Sequence, residues 1–443
     1  RHAKCCPSTG SFWSGLAGDP SLDGVLIPFL SRWRQQSLAW LVFFVIVVDL
    51  IGFGIVIPIL PFLSPHLGGG TDDVAFILVS YSITAALVAP LWGRLSDRLG
   101  RRLILFICLL GGAASHFLLA ASTELWMVYL SRAVAGAMAG SLPVATALIA
   151  DASTADQRSR AMGLIGRAFG IGLVLGPVIG GVLARSETDF ALPCIVAGVL
   201  SASAAFLALF LLPKPASTTA LRESELTADV SDAVPSMRTM LGHSGVLLFV
   251  GQFALHTCAV SASIYLFPLW VSMGLGWTAH EVGLFFGLVG IVMIVTQGNF
   301  LGRMTDRFGN MWVLRAAAIV FSLSLLLSTL ASGALAMGLL GLLTFSAATL
   351  CLPVLNTIAS HVVPPPWRGQ FFGVTASSAS FGRVGGPLIA ATLLTYGDFG
   401  LAWFGTSTIV MLVVVWAVLQ GSNSVSDLQL EEKSSPNPVG SGL

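Results

Sequence analysis

Charge is scarce in this chain. Only 10% of its 443 residues are Asp, Glu, Lys or Arg, while 55% are hydrophobic. Soluble domains carry about 25% charge, so an ordinary water-exposed fold is excluded. Cysteine is sparse too: six residues, scattered apart from Cys5-Cys6, with no CxxC and no metal-ligand spacing. Neither a disulfide scaffold nor a metal site is expected. Cys108, Cys194, Cys258 and Cys351 sit in apolar runs and read as packing residues. Walker loops, HExxH and GxSxG are all missing. Enzyme chemistry therefore finds no support, no cofactor is expected, and no nucleic-acid partner is indicated.

What the chain has in abundance is apolar sequence. Its mean hydropathy is +0.87. Runs of about 20 apolar residues recur along its length, enough to cross a hydrocarbon core about 30 Å thick. Gly is frequent at 48 residues, as where membrane helices approach closely. We expect an all-α membrane protein with twelve transmembrane helices near 38–62, 74–94, 102–121, 125–150, 161–184, 191–212, 245–270, 280–302, 311–330, 333–357, 369–394 and 399–420. Residues 1–37 are expected to form a cytoplasmic arm rather than a signal peptide. Residues 38–212 and 245–420 are expected to form two pseudo-symmetric six-helix bundles. The polar stretch 213–244 reads as a cytoplasmic linker, and 421–443 as a disordered tail.

The few charges are concentrated. Gly93-Arg94-Leu95-Ser96-Asp97-Arg98-Leu99-Gly100-Arg101-Arg102 holds five charged residues between two apolar runs, which predicts a tight turn between membrane helices. A weaker copy, Gly302-Arg303-Met304-Thr305-Asp306-Arg307-Phe308-Gly309-Asn310, follows much later. Arg32, Arg34, Arg94 to Arg102, Arg158, Arg160, Lys214, Arg303, Arg307 and Arg368 all fall on one side of the expected spans, against Arg185 on the other. By the positive-inside rule both termini are cytoplasmic. The halves repeat at an offset of about 210 residues. It aligns Asp97 with Asp306, Pro58 with Pro268, Arg158 with Arg368, and Gly176-Pro177 with Gly386-Pro387. Such duplicated bundles place their solute site between the halves, near mid-membrane.

On these residues the sequence resembles the major facilitator superfamily. Gly93 to Arg102 is similar to its loop 2–3 signature, and the second copy keeps Gly302, Asp306, Arg307 and Gly309. Val48-Asp49-Leu50-Ile51-Gly52-Phe53-Gly54 through Pro61 resembles the first span of the twelve-helix, tetracycline-efflux-like drug:proton antiporters. Tyr129-Leu130-Ser131-Arg132-Ala133-Val134-Ala135-Gly136 is similar to the span-4 arginine motif of proton-coupled members, and Gly170 to Gly181 to the span-5 motif of antiporters. Ala150-Asp151 through Arg160 also resembles the tetracycline-efflux type. The resemblance implies a secondary transporter, acting as a monomer in a plasma or inner membrane, that exports a small amphipathic compound or drug in exchange for protons. A proton symporter or uniporter for a small, anionic metabolite is the alternative, and a non-transporting scaffold a remote one.

The candidate residues follow. Asp49 stands about 16 Å into span 1 at 1.5 Å per residue, near mid-membrane. A carboxylate there is costly and marks a proton site or a structural contact. Arg132 is expected at comparable depth and able to pair with Asp49. Asp97, Arg98, Arg101 and Asp151, with Gly93, Gly100, Gly302, Asp306, Arg307 and Gly309, are assigned to a cytoplasmic gate. In it Asp97 faces the start of span 11 and Arg101 pairs with Asp151. Gly172, Gly176, Pro177, Gly180 and Gly181 leave a bare face on span 5, expected to pack against the other half. Gln252, His256, Gln297, Asn299, Asn356 and Arg383 are the candidate walls of a substrate cavity. Arg383 lies too deep for easy snorkelling and either binds an anionic group or pairs with an acid.

Overall fold

The computed structural model describes residues 39–152, 155–184, 190–212, 240, 244–363 and 368–419. The expected arm, tail and almost all of the linker lie outside them. Within them the chain is helical. In lipid each backbone N–H and C=O must be satisfied internally, and a helix does this within one segment. The helices are α1 Ala39–Val56, α2 Leu60–His66, α3 Thr71–Leu99, α4 Arg101–Ala120, α5 Leu125–Ala137, α6 Ser141–Ala152, α7 Ala155–Leu183 and α8 Ala191–Leu211. The second half holds α9 Ser244–Leu275, α10 Ala279–Val295, a π-turn Thr296–Phe300, α11 Leu301–Phe308, α12 Asn310–Ser328, α13 Ala334–Val362, α14 Arg368–Tyr396 and α15 Phe399–Leu419.

Among the described residues, nine helical segments are long and apolar enough to cross a membrane; α5 and α6 count as one of these. Gly170–Leu183 of α7 and Ala279–Val295 are apolar but shorter. α14 has the length, at 29 residues, but Ser377, Ser378, Ser380 and Arg383 dilute its hydropathy.

Several expected spans are broken or longer than their apolar runs. Span 1 ends early, because Pro58 and Pro61 remove amide donors. The chain turns at Ile57–Ile59 before α2. Span 4 breaks at Met138–Gly140. A Cβ on Gly140 would stand 2.7 Å from the Trp92 ring and 2.8 Å from Cys108 Sγ. Trp92 Nε1 donates at 2.6 Å to the carbonyl of Ala137. The charged motif is not itself a loop. α3 runs through it to Leu99, and α4 starts at Arg101. The turn is Gly100 alone, at φ +93°, mirrored by Gly309 at φ +83°. Both conformations favour glycine because a Cβ would clash there.

Four apolar clusters hold the bundle together. Two are made almost wholly from α1–α8 and one from α9 and α12–α15, with Met240. The fourth belongs to the second half but takes in Val74 and Ala75 of α3. The two halves meet along α7–α10 and α3–α14. The stripe Val174, Val178 and Gly181 of α7 faces Gly290, Gly287 and Gly283 of α10, the i, i+4, i+7 spacing of one helix face. Where the Gly181 and Gly283 backbones touch, a Cβ on Gly181 would be 2.8 Å from Gly283 Cα.

Candidate functional site

The halves join at the end away from Gly100. Tyr265 of α9 donates its hydroxyl to the carbonyl of Thr71 at 3.1 Å. Thr395 of α14 donates to Asp72 Oδ1 at 2.9 Å. His280 Nδ1 lies 2.9 Å from the carbonyl oxygen of Gly181. Toward the Gly100 end a Cβ on Gly93, Gly170 or Gly302 would meet nothing within 4 Å. We read this open space as a central cleft between the halves, facing the end that carries the charged motifs.

Asp49 is half-buried on α1. Its Oδ2 accepts a 2.8 Å hydrogen bond from Ser141 Oγ. The helix break at Gly140 makes this bond possible. Ser141 opens α6, so its side chain points from a fresh turn and not along the ridge of α5. Arg132, on α5, is 3% exposed. Its Nη2 is buried without a hydrogen-bond partner, and Nε reaches Ser131 Oγ only at 3.5 Å. The expected Asp49–Arg132 ion pair is not formed. Asp49 is in electrostatic reach of Cys108, whereas Arg132 is in reach of His116. Both are on α4, eight residues or about 12 Å apart along the helix. The two charges therefore sit at different depths.

A residue that sequence reasoning passed over is in reach of both. Tyr81 of α3 is in electrostatic reach of Arg383, Asp49 and Arg132 together. Its ring packs 5.6 Å from that of Phe53. A signal was present: tyrosine is rare here, with four against 27 Phe. Arg383, on α14 of the second half, is in electrostatic reach of Tyr81. Its Nη2 donates to Ser380 Oγ at 2.7 Å.

The other candidate cavity residues do not converge. Gln252 and His256 are each 5% exposed. They lie one helical turn apart on α9, and the His256 ring meets Phe321 of α12 at 6.2 Å, inside the second half. Gln252 Oε1 has no hydrogen-bond partner. Gln297 Nε2 donates to the carbonyl of Thr349 at 2.9 Å. It lines a separate cleft of about 300 Å³ with Thr305, Asn310 and Thr357, at the Gly309 end. Asn356 is half-buried. The side chain of Asn299 lies outside the described residues.

The gate candidates are placed as follows. Asp97 pairs with Arg101 at 2.8 Å. Arg101 also donates to Ser96 Oγ at 2.9 Å. This clamp spans the Gly100 turn. Asp97 is largely exposed and, in this conformation, is not held by the start of α14. Arg98, Asp306 and Arg307 are exposed, and the Arg307 guanidinium sits 5.4 Å from the Phe308 ring centre. The Asp151 side chain lies outside the described residues. The span-5 glycines divide. Gly172, Gly176 and Gly180 face Leu50, Gly54 and Ile55 of α1, inside the first half, and only Gly181 touches the second. The reason is spacing, because the i, i+4, i+8 stripe and the stripe through Gly181 point different ways.

A helical membrane bundle, joined at one end and cleft at the other, with ionisable groups deep in the cleft, is the architecture of a membrane transporter. The chain belongs to the Major Facilitator Superfamily, whose family model matches residues 42–387 and, in a second match, 275–441. It is 30% identical over 381 residues to the class D tetracycline resistance protein of Salmonella ordonez, covering 84% of this chain and 94% of that one. It is 27% identical over 373 residues to multidrug resistance protein 1 of Bacillus subtilis, covering 83% and 93%. Among solved structures, the human organic anion transporter MFSD10 (TETRAN) shares the fold at TM-score 0.65 and 24% identity, covering 86% of this chain and 99% of that one. The nucleoside transporter NupG does so at TM-score 0.64 and 15% identity, covering 86% and 98%.

Proposed function

We propose that this protein is a proton-coupled secondary transporter that exports small amphipathic organic compounds by alternating access. The chain crosses the membrane twelve times, with both termini and the Gly100 end on the cytoplasmic side of a plasma or inner membrane. It works as a monomer. The described conformation then faces inward. The observation that carries the reading is Asp49. It is a half-buried carboxyl group about half-way along α1, held by the hydroxyl of Ser141 at 2.8 Å with that of Ser201 also in reach. A group so placed can be loaded and unloaded with a proton as the cleft changes sides. The similarity to tetracycline and multidrug resistance proteins supports organic cargo and export. Uptake with protons is the second reading, and Arg383 favours it, since a cation facing the cleft suits an anionic metabolite.

The test is reconstitution in proteoliposomes with an imposed pH gradient and a panel of amphipathic compounds. Wild type should move at least one compound against its gradient, with opposite proton flow. Asp49→Asn should lose the coupling by about tenfold or more while remaining monodisperse. Normal coupling in Asp49→Asn would remove Asp49 from the mechanism, and proton flow in the same direction as the compound would establish the uptake reading.

A further inference from the structure

Arg383 is the cation that the fold leaves without an explanation. It lies 15 residues from the start of α14 and 13 from its end, about 20 Å from either terminus at 1.5 Å per residue. Its side chain is too short to reach an interface from there. It is exposed, on a face of α14 set by its neighbours. Phe381, two residues earlier, is 77% exposed, and two residues on a helix turn the direction by about 200°. Gly382 and Gly386 press on the α9 backbone at the carbonyls of Ala254 and Cys258. Arg383 is left on the side of α14 away from Phe381, in electrostatic reach of Tyr81 on α3, the helix of the other half that α14 packs against.

A guanidinium at this depth normally has an acid beside it. Arg383 forms no ion pair with any described residue. Its side-chain partner is the hydroxyl of Ser380, while its backbone carbonyl accepts from Ser261 Oγ at 3.1 Å. A guanidinium has five donors in a planar fork. Behind Tyr81 stands a second cation, Arg132, with a buried Nη2 that bonds nothing. The acid in reach of Tyr81 is Asp49, already engaged by Ser141. Arg383 is thus the exposed guanidinium here, with Arg132 buried in the first half and the Phe53 and Tyr81 rings packed against each other nearby.

We propose that Arg383, with Tyr81 opposite and Arg132 behind, is an anion-binding subsite, and that the cargo carries a carboxylate, sulfonate or phosphate on an apolar body. Arg383 takes the anion on its free donors, as guanidinium does with planar oxyanions. The Tyr81 hydroxyl donates from the other half, so a bound anion ties the two halves together. The inference rests on the transporter reading above and holds for either direction of proton flow.

The experiment uses purified full-length protein in nanodiscs and one radiolabelled naphthyl scaffold in three forms: carboxylate, methyl ester and trimethylammonium. Wild type should bind the carboxylate about tenfold or more tighter than the ester, as a charge-assisted bond allows. Arg383→Gln should remove that preference, Arg383→Lys should keep part of it, and Tyr81→Phe should weaken the carboxylate severalfold and leave the ester unchanged. Arg383→Lys guards against a folding failure of Arg383→Gln. Equal binding of carboxylate and ester by wild type, or tighter binding of the trimethylammonium, would overturn the subsite. So would an equal loss of carboxylate and ester in Arg383→Gln, which would assign Arg383 to packing. In proteoliposomes with a pH gradient, proton-coupled movement of the ester or the trimethylammonium form but not of the carboxylate would leave the transporter reading standing while the anion subsite fell.

Discussion

Asp49 and Ser141 are 92 residues apart in sequence and 2.8 Å apart in space. The acid was legible as a rare charge within an apolar run; its donor was not. Serine is common in membrane helices, and nothing local marks the one that a helix break turns inward. We expect Ser141→Ala to leave thermal stability within about 2 °C of wild type, as one part-buried hydrogen bond is worth about 1 kcal/mol. It should slow proton-driven transport severalfold in proteoliposomes. Gly140→Val should be far more damaging. The added side chain meets Trp92 and Cys108, and overpacking costs about 1–3 kcal/mol. A melting curve on detergent-purified protein measures it. Arg132 is a case where depth, counted along single helices, misled. Counting from each end, with an assumed core about 30 Å thick, placed two charges side by side that neighbour different levels of α4.

At the scale of elements, apolar runs located the helices well, but their ends were decided by chemistry the runs do not contain. α3 continues through Gly93–Leu99 because an amphipathic last turn can stay helical in water. Only Gly100, with φ +93°, stops it. Gly100→Ala should cost about 1 kcal/mol, the penalty for a Cβ in a left-handed backbone. α7 shows a helix serving two partners. Gly172, Gly176 and Gly180 let α1 pack against it, with a Cβ on Gly176 falling 2.5 Å from Gly54 Cα. Gly176→Leu should therefore unfold or destabilise the first half, while Gly170→Ala, with open space around it, should be tolerated. Comparing folded yield and melting temperature of the two checks this. If Gly176→Leu purifies and melts like wild type, the α1–α7 packing is wrong.

At the scale of the whole molecule, the three bonds across the closed end tie two rigid halves: Tyr265 to Thr71, Thr395 to Asp72 and His280 to Gly181. Alternating access requires them to break. A disulfide between Asp72→Cys and Thr395→Cys should hold this end shut. Oxidised protein should keep less than about a tenth of its transport rate, and reductant should restore it. Unchanged transport in the crosslinked protein would mean that this end need not open. The twelve-span topology predicts that tags at both termini are reached from the same, cytoplasmic side.

The sequence by itself determined the membrane class, the helical fold, the repeat of two motif-bearing halves and the identity of the rare intramembrane charges. Each follows from composition and spacing, because lipid penalises every unpaired backbone group and every stray charge. The tertiary structure alone decided which of those charges meet. It separated Asp49 from Arg132, gave Asp49 to Ser141, set Tyr81 in reach of both charges, buried Gln252 and His256 away from the cleft and brought Arg383 within reach of Tyr81. Those outcomes depend on helix breaks, rotation and the joining of one end of the bundle. They are contacts between distant segments, and no window of sequence contains both partners.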